Sequence, residues 1–329
     1  MTRLASPAAC ATHAGRRATN QDAVLATLLP DGRELVAVAD GMGGHAAGEV
    51  ASATALETLH GALRLGVELG EAVRAANLAI FARASGDEGL AGMGTTLVAM
   101  LRQDEQYWVA NVGDSRAYRV TATGVEPLTR DHSFHAEALQ AGMLSLADVE
   151  RSPWRHALTR SLGNEPELEV DVFGPFPARG EPHILVLCSD GLYRGLGEAE
   201  LHAVLLSTPN VGSAAAALPE LAMQHGSDDN ITVALREYGQ VPRHANGRPR
   251  SEAAAPEPPR SGPTPEPQPA PAIGPAAAAL PAARIVPTRS PRGSRRRRKR
   301  FSFELAAFLL CTLALAGLVA WYLLNLDVR

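Results

Sequence analysis

Short apolar runs that meet an aspartate recur through the first 238 residues of this 329-residue chain. Runs of this length, bounded by turn-forming residues, predict β-strands. The junctions are Asp40 after 35–39, Asp114 after 107–112, Asp190 after 184–187 and Asp229 before 231–238. A single Asp beside a strand is most often a turn residue. Four of them gathered at one sheet edge would repel each other unless a cation bound there, so the pattern predicts a sheet-rich fold that holds cations.

Strands joined by hairpins, together with amphipathic helices, indicate an α+β class for residues 1–238. The remaining predicted strands are 95–101, a pair within 117–128, and 168–173. Helices are predicted over 45–65, 68–84, 133–141, 198–207 and 211–225. Strict alternation of strand and helix is absent, which favours antiparallel sheets over a parallel one.

The rest of the chain has a different composition. Residues 239–300 hold more than half of the chain's 24 prolines and contain no Phe. They end in the basic run Arg295–Arg300. Such a segment buries too little apolar surface to offset its ordering entropy, which predicts a disordered linker. Residues 301–326 are predicted to form a transmembrane helix, since 305–326 carry no charge and can cross a core of roughly 30 Å.

The basic run immediately before that helix predicts the orientation of the chain in the membrane. Positively charged flanks face the cytoplasm, so residues 1–238 are expected inside the cell and residues 327–329 outside. The chain is thus predicted to be a single-pass, tail-anchored protein of the cell membrane. Residues 295–300 are expected to contact anionic lipid headgroups. A nucleic-acid patch is the alternative for such a run, but no nucleic acid is expected, because the run abuts the apolar segment directly.

The residue types near the aspartates favour a hard cation. Oxygen ligands indicate Mg²⁺ or Mn²⁺ rather than zinc. The three cysteines Cys10, Cys188 and Cys311 are isolated in sequence, so we expect buried, reduced thiols and no zinc site. Arg17 is a candidate anion-binding residue, because its planar guanidinium matches phosphate oxygens. Metal ions with an arginine suit phosphoryl chemistry.

Other catalytic motifs are not found. Ser189 does not stand in a Gly-x-Ser-x-Gly elbow. The segment Gly41–Gly44 is not a phosphate-binding P-loop, because no Gly-Lys-Ser/Thr follows it.

Eight short motifs, taken in order, closely resemble those of the metal-dependent protein phosphatase 2C family in its bacterial form. They are Arg17 with 20–22, then 40–45, 94–96, 113–116, 128–133, 158–163, 188–192 and 229–232. The resemblance covers nearly all of residues 10–238. It implies a four-layer αββα sandwich of two antiparallel sheets flanked by helices.

The resemblance also implies an activity. Enzymes of this family hydrolyse phosphoserine and phosphothreonine in proteins, with two Mn²⁺ or Mg²⁺ ions that activate a bridging water. Carried over motif by motif, Asp40 would bridge the two ions and the Gly41 carbonyl would bind one of them. Asp190 and Asp229 would bind the other ion, and Asp114 with Asp190 would hold a weaker third.

For the remaining roles, the resemblance implies that Arg17 binds substrate phosphate and that Asp22 acts through a metal-bound water. Gln21 and Met42 depart from the animal pattern, which leaves the proton donor open, with His45 as one candidate. Expected partners are phosphorylated proteins, including a membrane Ser/Thr kinase. The alternative is a catalytically degenerate phosphoprotein-binding module at the membrane.

Overall fold

The computed structural model describes residues 8–44, 47–140 and 157–243. Their strands are β1 (Ala9–His13), β2 (Asp22–Leu28), β3 (Glu34–Met42), β4 (Gly94–Thr95), β5 (Leu97–Gln103), β6 (Gln106–Val112), β7 (Arg116–Val120), β8 (Val125–Pro127), β9 (Asp171–Pro177), β10 (His183–Cys188) and β11 (Ile231–Tyr238). Their α-helices are α1 (Ala47–Arg64), α2 (Leu69–Gly86), α3 (Phe134–Gln140), α4 (Asp190–Gly195), α5 (Glu198–Ser207) and α6 (Val211–Gln224). A single 3₁₀ turn spans Glu88–Leu90 in this part of the chain.

The strands form two antiparallel sheets. Sheet A has the order β2-β3-β5-β6-β9, with β4 paired to β3, and sheet B has the order β1-β11-β10-β7-β8. Every pairing within these sheets is antiparallel. The predicted α+β class with two antiparallel sheets is therefore confirmed.

Side chains of β3 show how the layers stack. Its alternate residues Leu35, Ala37 and Ala39 pack with helices α1 and α2. Val36 and Val38, which point the other way, pack against sheet B. This is the two-residue period of a strand buried on both faces.

Helices cover the outer face of sheet B in the same way. Val186 of β10 packs with Leu201 of α5 and with Leu218 of α6. Three apolar clusters thus separate four layers, in the order helices, sheet A, sheet B, helices. This is the αββα sandwich that the family resemblance implied.

Helix α1 illustrates how sequence produces the packing. Ala51, Ala55, Leu59 and Leu63 recur every four residues, and all four are buried. That spacing puts them on one face of a helix. The two alanines near the start of this face are small, so the helix packs closely on β3.

Most predicted elements are present, with boundary shifts of a few residues. The strand predicted at 168–173 lies instead at Asp171–Pro177. Strands β1 and β2 were not predicted: β1 consists mostly of small residues, and the short apolar run 23–26 of β2 was missed. Asp40 was placed after its strand, but β3 continues to Met42, so Asp40 lies inside it. Asp190 was expected in a turn, and it begins helix α4.

Some predictions meet the structure only in part. Cys188 is buried as expected, whereas Cys10 is exposed on the edge strand β1. In residues 8–44, 47–140 and 157–243, no helix is long and apolar enough to cross a membrane. The predicted transmembrane helix at 301–326 and the linker beyond residue 243 lie outside the described residues, as do His45 and Cys311.

A buried ion pair joins the two sheets at the end where β3 begins. Arg236 of sheet B donates through Nε to both carboxylate oxygens of Glu34 in sheet A, at 2.9 and 3.0 Å. Arg102 lies 3.9 Å from the same carboxylate. The Glu34 side chain is wholly shielded from solvent. Loss of one partner of such a pair leaves the other charge uncompensated.

We therefore expect Glu34→Ala to lower the free energy of unfolding by about 3 kcal/mol. Urea denaturation of the full chain, followed by circular dichroism, would measure the loss. Glu71→Ala is the control, because that glutamate is exposed and also pairs with an arginine, and it should change stability by less than about 0.5 kcal/mol. A loss below about 1 kcal/mol for Glu34→Ala would show that the pair does not stabilise the sandwich.

Candidate active site

Asp22 and Asp40 lie directly opposite each other on neighbouring strands of sheet A. Like charges in such cross-strand pairs are destabilising. Asp22 is held by Ser189, whose hydroxyl donates to Asp22 Oδ2 at 2.7 Å. Ser189 directly follows β10 of sheet B, so this hydrogen bond links the two sheets. The second oxygen of Asp22, Oδ1, is buried and has no hydrogen-bond partner.

The backbone of Asp40 is fixed by two threonines. The Asp40 amide donates to Thr96 Oγ1 at 3.1 Å, and the Asp40 carbonyl accepts from the Thr95 hydroxyl at 2.8 Å. Thr96 Oγ1 also lies 2.7 Å from Ser115 Oγ. These contacts tie the strand that carries Asp40 to the turn that carries Asp114. They give a structural reason for the Gly94-Thr95-Thr96 motif.

The turn around Asp114 is held from both sides. The Gly113 amide donates to His132 Nδ1 at 3.1 Å. The Tyr193 hydroxyl donates to the Asp114 carbonyl at 3.0 Å. Because Tyr193 lies on α4, this bond also positions Asp114 relative to Asp190 at the start of that helix.

Asp190 and Asp229 are brought together by a close backbone approach. A side chain at Gly191 would come within 2.0 Å of the Asn230 carbonyl oxygen. Only glycine therefore lets the start of α4 pack against the residue that precedes β11. Asp190 is buried, and its Oδ1 has no hydrogen-bond partner.

Gly41, predicted to offer its carbonyl to a cation, also lines the cavity. A side chain there would come within 2.1 Å of the Gly48 carbonyl oxygen in α1. The structure thus requires glycine at position 41 for packing, whatever its carbonyl binds.

Asn230 positions the loop that carries Arg17. Its side-chain amide donates to the carbonyls of Ala14 and Thr19, both at 2.9 Å, and its Oδ1 accepts from the Gln21 amide at 2.8 Å. Arg17 is more than half exposed, and its Nη2 lies 2.9 Å from Asp229 Oδ2. The predicted anion-binding arginine therefore stands at the edge of the carboxylate cluster.

Arg194 is a site residue that the sequence reasoning missed. Its guanidinium lies 2.5 Å from Asp190 Oδ2 and 3.6 Å from Asp229 Oδ2. The available signal was its position four residues after Asp190, which places both side chains on one helix face only if Asp190 begins a helix. We had predicted a turn there instead.

The cavity between these elements has a volume of about 700 Å³. It is lined by six of the seven predicted site residues, Arg17, Asp40, Gly41, Asp114, Asp190 and Asp229. Asp22 lies behind the wall rather than in it. Asp228, which precedes Asp229, is exposed and does not line the cavity.

The pKa values show that the carboxylates influence one another. Burial raises the pKa of Asp40 well above its usual range, and the charges of Asp22, Asp190, Asp114 and Asp229 raise it further. Burial raises the pKa of Asp190 to about 7, although Arg194 acts in the opposite direction. Burial likewise raises the pKa of Asp22 to about 6. Asp40 is therefore the electrostatic centre of the cluster.

Within the described residues, no group of three or more His, Cys, Asp or Glu side chains has the close spacing of a metal-binding cluster. The charges of Asp22, Asp114, Asp190 and Asp229 nevertheless all raise the pKa of Asp40, and four of these five carboxylates line one cavity. The carboxylates that line the cavity thus do not close on one point. Their hard oxygens, together with the unpartnered Oδ1 atoms of Asp22 and Asp190, fit a divalent cation of the Mg²⁺ type.

Comparison with known proteins identifies the family of this chain. The family model for protein phosphatase 2C matches residues 10–221. A serine/threonine phosphatase, stp, from Listeria innocua is 38% identical over 218 residues, which are 63% of this chain and 85% of that relative.

Solved structures show the same fold. The crystal structure of the serine/threonine phosphatase Stp1 from Staphylococcus aureus has a TM-score of 0.66 and 28% identity, covering 73% of this chain and 98% of that one. The PPM Ser-Thr phosphatase MsPP from Mycobacterium smegmatis, in complex with cacodylate, has a TM-score of 0.61 and 36% identity. The match covers 71% of this chain and 98% of that one. Motif order, layered fold and carboxylate-lined cavity together establish that the chain belongs to the protein phosphatase 2C family.

Proposed function

We propose that this serine/threonine phosphatase hydrolyses phosphoserine and phosphothreonine in proteins with two divalent cations, Mn²⁺ or Mg²⁺, and a weaker third. The observation that carries the proposal is the gathering of Asp40, Asp114, Asp190 and Asp229 around one cavity, with Asp22 directly opposite Asp40 on the neighbouring strand. Such a group disfavours its own charged form, and a bound cation is the direct way to reverse that preference.

The proposed ligand set is the one that the family resemblance implies, and the support for it is that all five of its residues line the cavity. Asp40, at the electrostatic centre, would bridge the two cations, with the Gly41 carbonyl beside it. Asp190 and Asp229 lie together at the end of sheet B and would share one cation. Asp114 would join Asp190 at the weaker third position. Bound cations would supply charge neutralisation at the phosphoryl oxygens and a water of lowered pKa.

The chain's own residues would place the substrate and a water. Arg17 is exposed at the rim, where its guanidinium can leave Asp229 and bind phosphate oxygens in a bidentate manner. Asp22 has one oxygen fixed by Ser189 and the other buried without a partner. That second oxygen is suited to accept a hydrogen bond from a water held in the cluster.

The dependence of phosphatase activity on the cation and on its ligands can be tested in one experiment. With a phosphoserine peptide, removal of Mn²⁺ by EDTA should lower kcat/KM by about 10³-fold, the size expected for loss of Lewis-acid stabilisation. Asp229→Asn should cause a similar loss. Asp228→Asn is the matched control, because this neighbouring carboxylate is exposed outside the cavity, and it should keep activity. Equal rates for Asp229→Asn and wild type would reject the ligand assignment.

The role of Arg17 predicts a change mainly in substrate binding. Arg17→Ala should raise KM for a phosphopeptide by about tenfold, because a charge-assisted pair to phosphate is lost. Steady-state kinetics at saturating Mn²⁺ would measure it. Arg16→Ala, at the adjacent exposed residue, should leave KM unchanged. If both variants behaved alike, the phosphate would be bound elsewhere.

We further propose that the enzyme acts at the inner face of the membrane, on phosphoproteins that include a membrane Ser/Thr kinase. The support is the uncharged segment at 305–326 and the basic run at 295–300, which suits anionic headgroups. Arg243 lies beside Glu237 near the end of β11, whereas Asp229 lies before its start. The last described residue therefore lies beyond the end of β11 that is opposite to Asp229.

The membrane proposal predicts the partition of the protein after cell lysis. The full chain should sediment with membranes and resist extraction by high salt, because an apolar span is not held by charge. A variant lacking residues 301–329 should be recovered in the supernatant with its phosphatase activity intact. Recovery of the full chain in the supernatant would argue against an anchor.

A further inference from the structure

Arg194 lies against the same carboxylates that we assign to one divalent cation. Its Nη2 is 2.5 Å from Asp190 Oδ2, and its Nη1 is 3.6 Å from Asp229 Oδ2. One planar guanidinium therefore bridges two carboxylates that come from different parts of the chain. A cation held by both carboxylates would compete with this guanidinium for Asp190 Oδ2 and Asp229 Oδ2.

The surroundings of α4 hold Arg194 in this place. Tyr193, its neighbour, donates a hydrogen bond to the Asp114 carbonyl, and its ring lies 3.7 Å from the Arg116 guanidinium carbon. Gly195 packs so closely on α6 that an added side chain would come within 2.6 Å of the Ala222 carbonyl oxygen. Because the helix is fixed on both sides, Arg194 can leave the carboxylates only by changing its own rotamer.

We propose that Arg194 is an internal competitor of the divalent cation at the Asp190–Asp229 pair. The guanidinium and the cation exchange for the same oxygens, so Arg194 weakens cation binding there and stabilises the carboxylates when no cation is bound. The inference rests on the proposed function, since it takes Asp190 and Asp229 to be cation ligands.

The alternative is that Arg194 orients a ligand. Asp190 Oδ1 is buried without a partner, so it could take the cation while Arg194 held Oδ2, as hydrogen-bonded ligating carboxylates do. An orienting residue needs only one carboxylate, whereas Arg194 reaches across to Asp229 as well. Two positive groups between the same pair of oxygens repel each other. The two roles predict opposite changes in cation affinity.

Calorimetric titration of the full chain with Mn²⁺ distinguishes them. For Arg194→Gln, competition predicts Mn²⁺ binding that is tighter by at least about fivefold, the lower range for coupling between two sites. Arg194→Lys keeps the charge but cannot bridge with a planar fork, so its affinity should lie between those of Arg194→Gln and wild type. Unchanged or weaker binding by Arg194→Gln would overturn the proposal, and weaker binding would assign the orienting role.

Thermal melting gives a second readout that does not depend on activity. In EDTA, the melting temperature of Arg194→Gln should fall by roughly 2–4 °C relative to wild type. At saturating Mn²⁺ the two proteins should melt together, because the ion then replaces the lost guanidinium. An equal fall in both conditions would show a purely structural ion pair and would overturn the proposal.

Arg74→Gln serves as the matched control. Arg74 forms an exposed ion pair with Glu71 on α2 and does not line the cavity. Its replacement should alter neither Mn²⁺ affinity nor the response of the melting temperature to Mn²⁺. If wild type itself bound no Mn²⁺, the proposed function and this inference would both fail. If wild type bound Mn²⁺ and Arg194→Gln bound it equally, only the inference would fail.

Discussion

Electrostatic repulsion among half-buried aspartates dominates one end of this molecule. Asp22 and Asp40 face each other across two strands, and the charges of Asp114, Asp190 and Asp229 reach the same point. A fold that only maximised stability would not gather these groups, because burial and like charge both oppose ionisation. Their gathering at one end of the sandwich therefore lowers stability, and a functional site explains it, because proteins commonly break stability rules at functional sites.

The remainder of the sandwich makes that gathering possible. Interdigitated apolar clusters fix the spacing of the two sheets, and the buried Glu34–Arg236 pair links them at the opposite end. Near the cavity, small residues replace large ones, and Gly41 and Gly191 allow backbone contacts that no other residue permits. Hydroxyl groups of Thr95, Thr96 and Ser189 then satisfy the nearby polar groups. Packing and hydrogen bonds of the surrounding residues therefore hold the carboxylates in place, although the carboxylates repel one another.

Positive charge from the protein itself offsets part of the repulsion. Arg17 and Arg194 both reach Asp229 Oδ2, one from a surface loop and the other from a short helix. The loop arginine is exposed and can turn toward a substrate, whereas the helix arginine is confined by its neighbours. The two arginines thus suit different purposes because their side chains differ in exposure, which is 57% for Arg17 and 31% for Arg194.

Much of this architecture could be predicted from the sequence. The strand through residues 35–39 follows from five consecutive apolar residues. Helix α1 was predicted from the apolar residues Val50, Ala53, Leu56 and Leu63, although Ala53 is exposed and the buried face also includes Ala51, Ala55 and Leu59. Asp114 and Asp229 were placed correctly beside their strands, because turn residues bounded each apolar run. The edge strand β1 could not be predicted, since Ala9–His13 carries no periodic apolar signal and is a strand only because β11 pairs with it.

What the sequence determined by itself was the local chemistry: which segments form strands and helices, which residue types offer hard oxygen ligands, and the order of motifs that marks the family. Local patterns suffice for these features because they depend on neighbours within a few residues. Only the tertiary structure decided that Asp40 faces Asp22 from inside β3, and that Arg194 bridges Asp190 and Asp229. Such relations arise where strand register and helix docking bring distant residues together, and no local pattern encodes those distances.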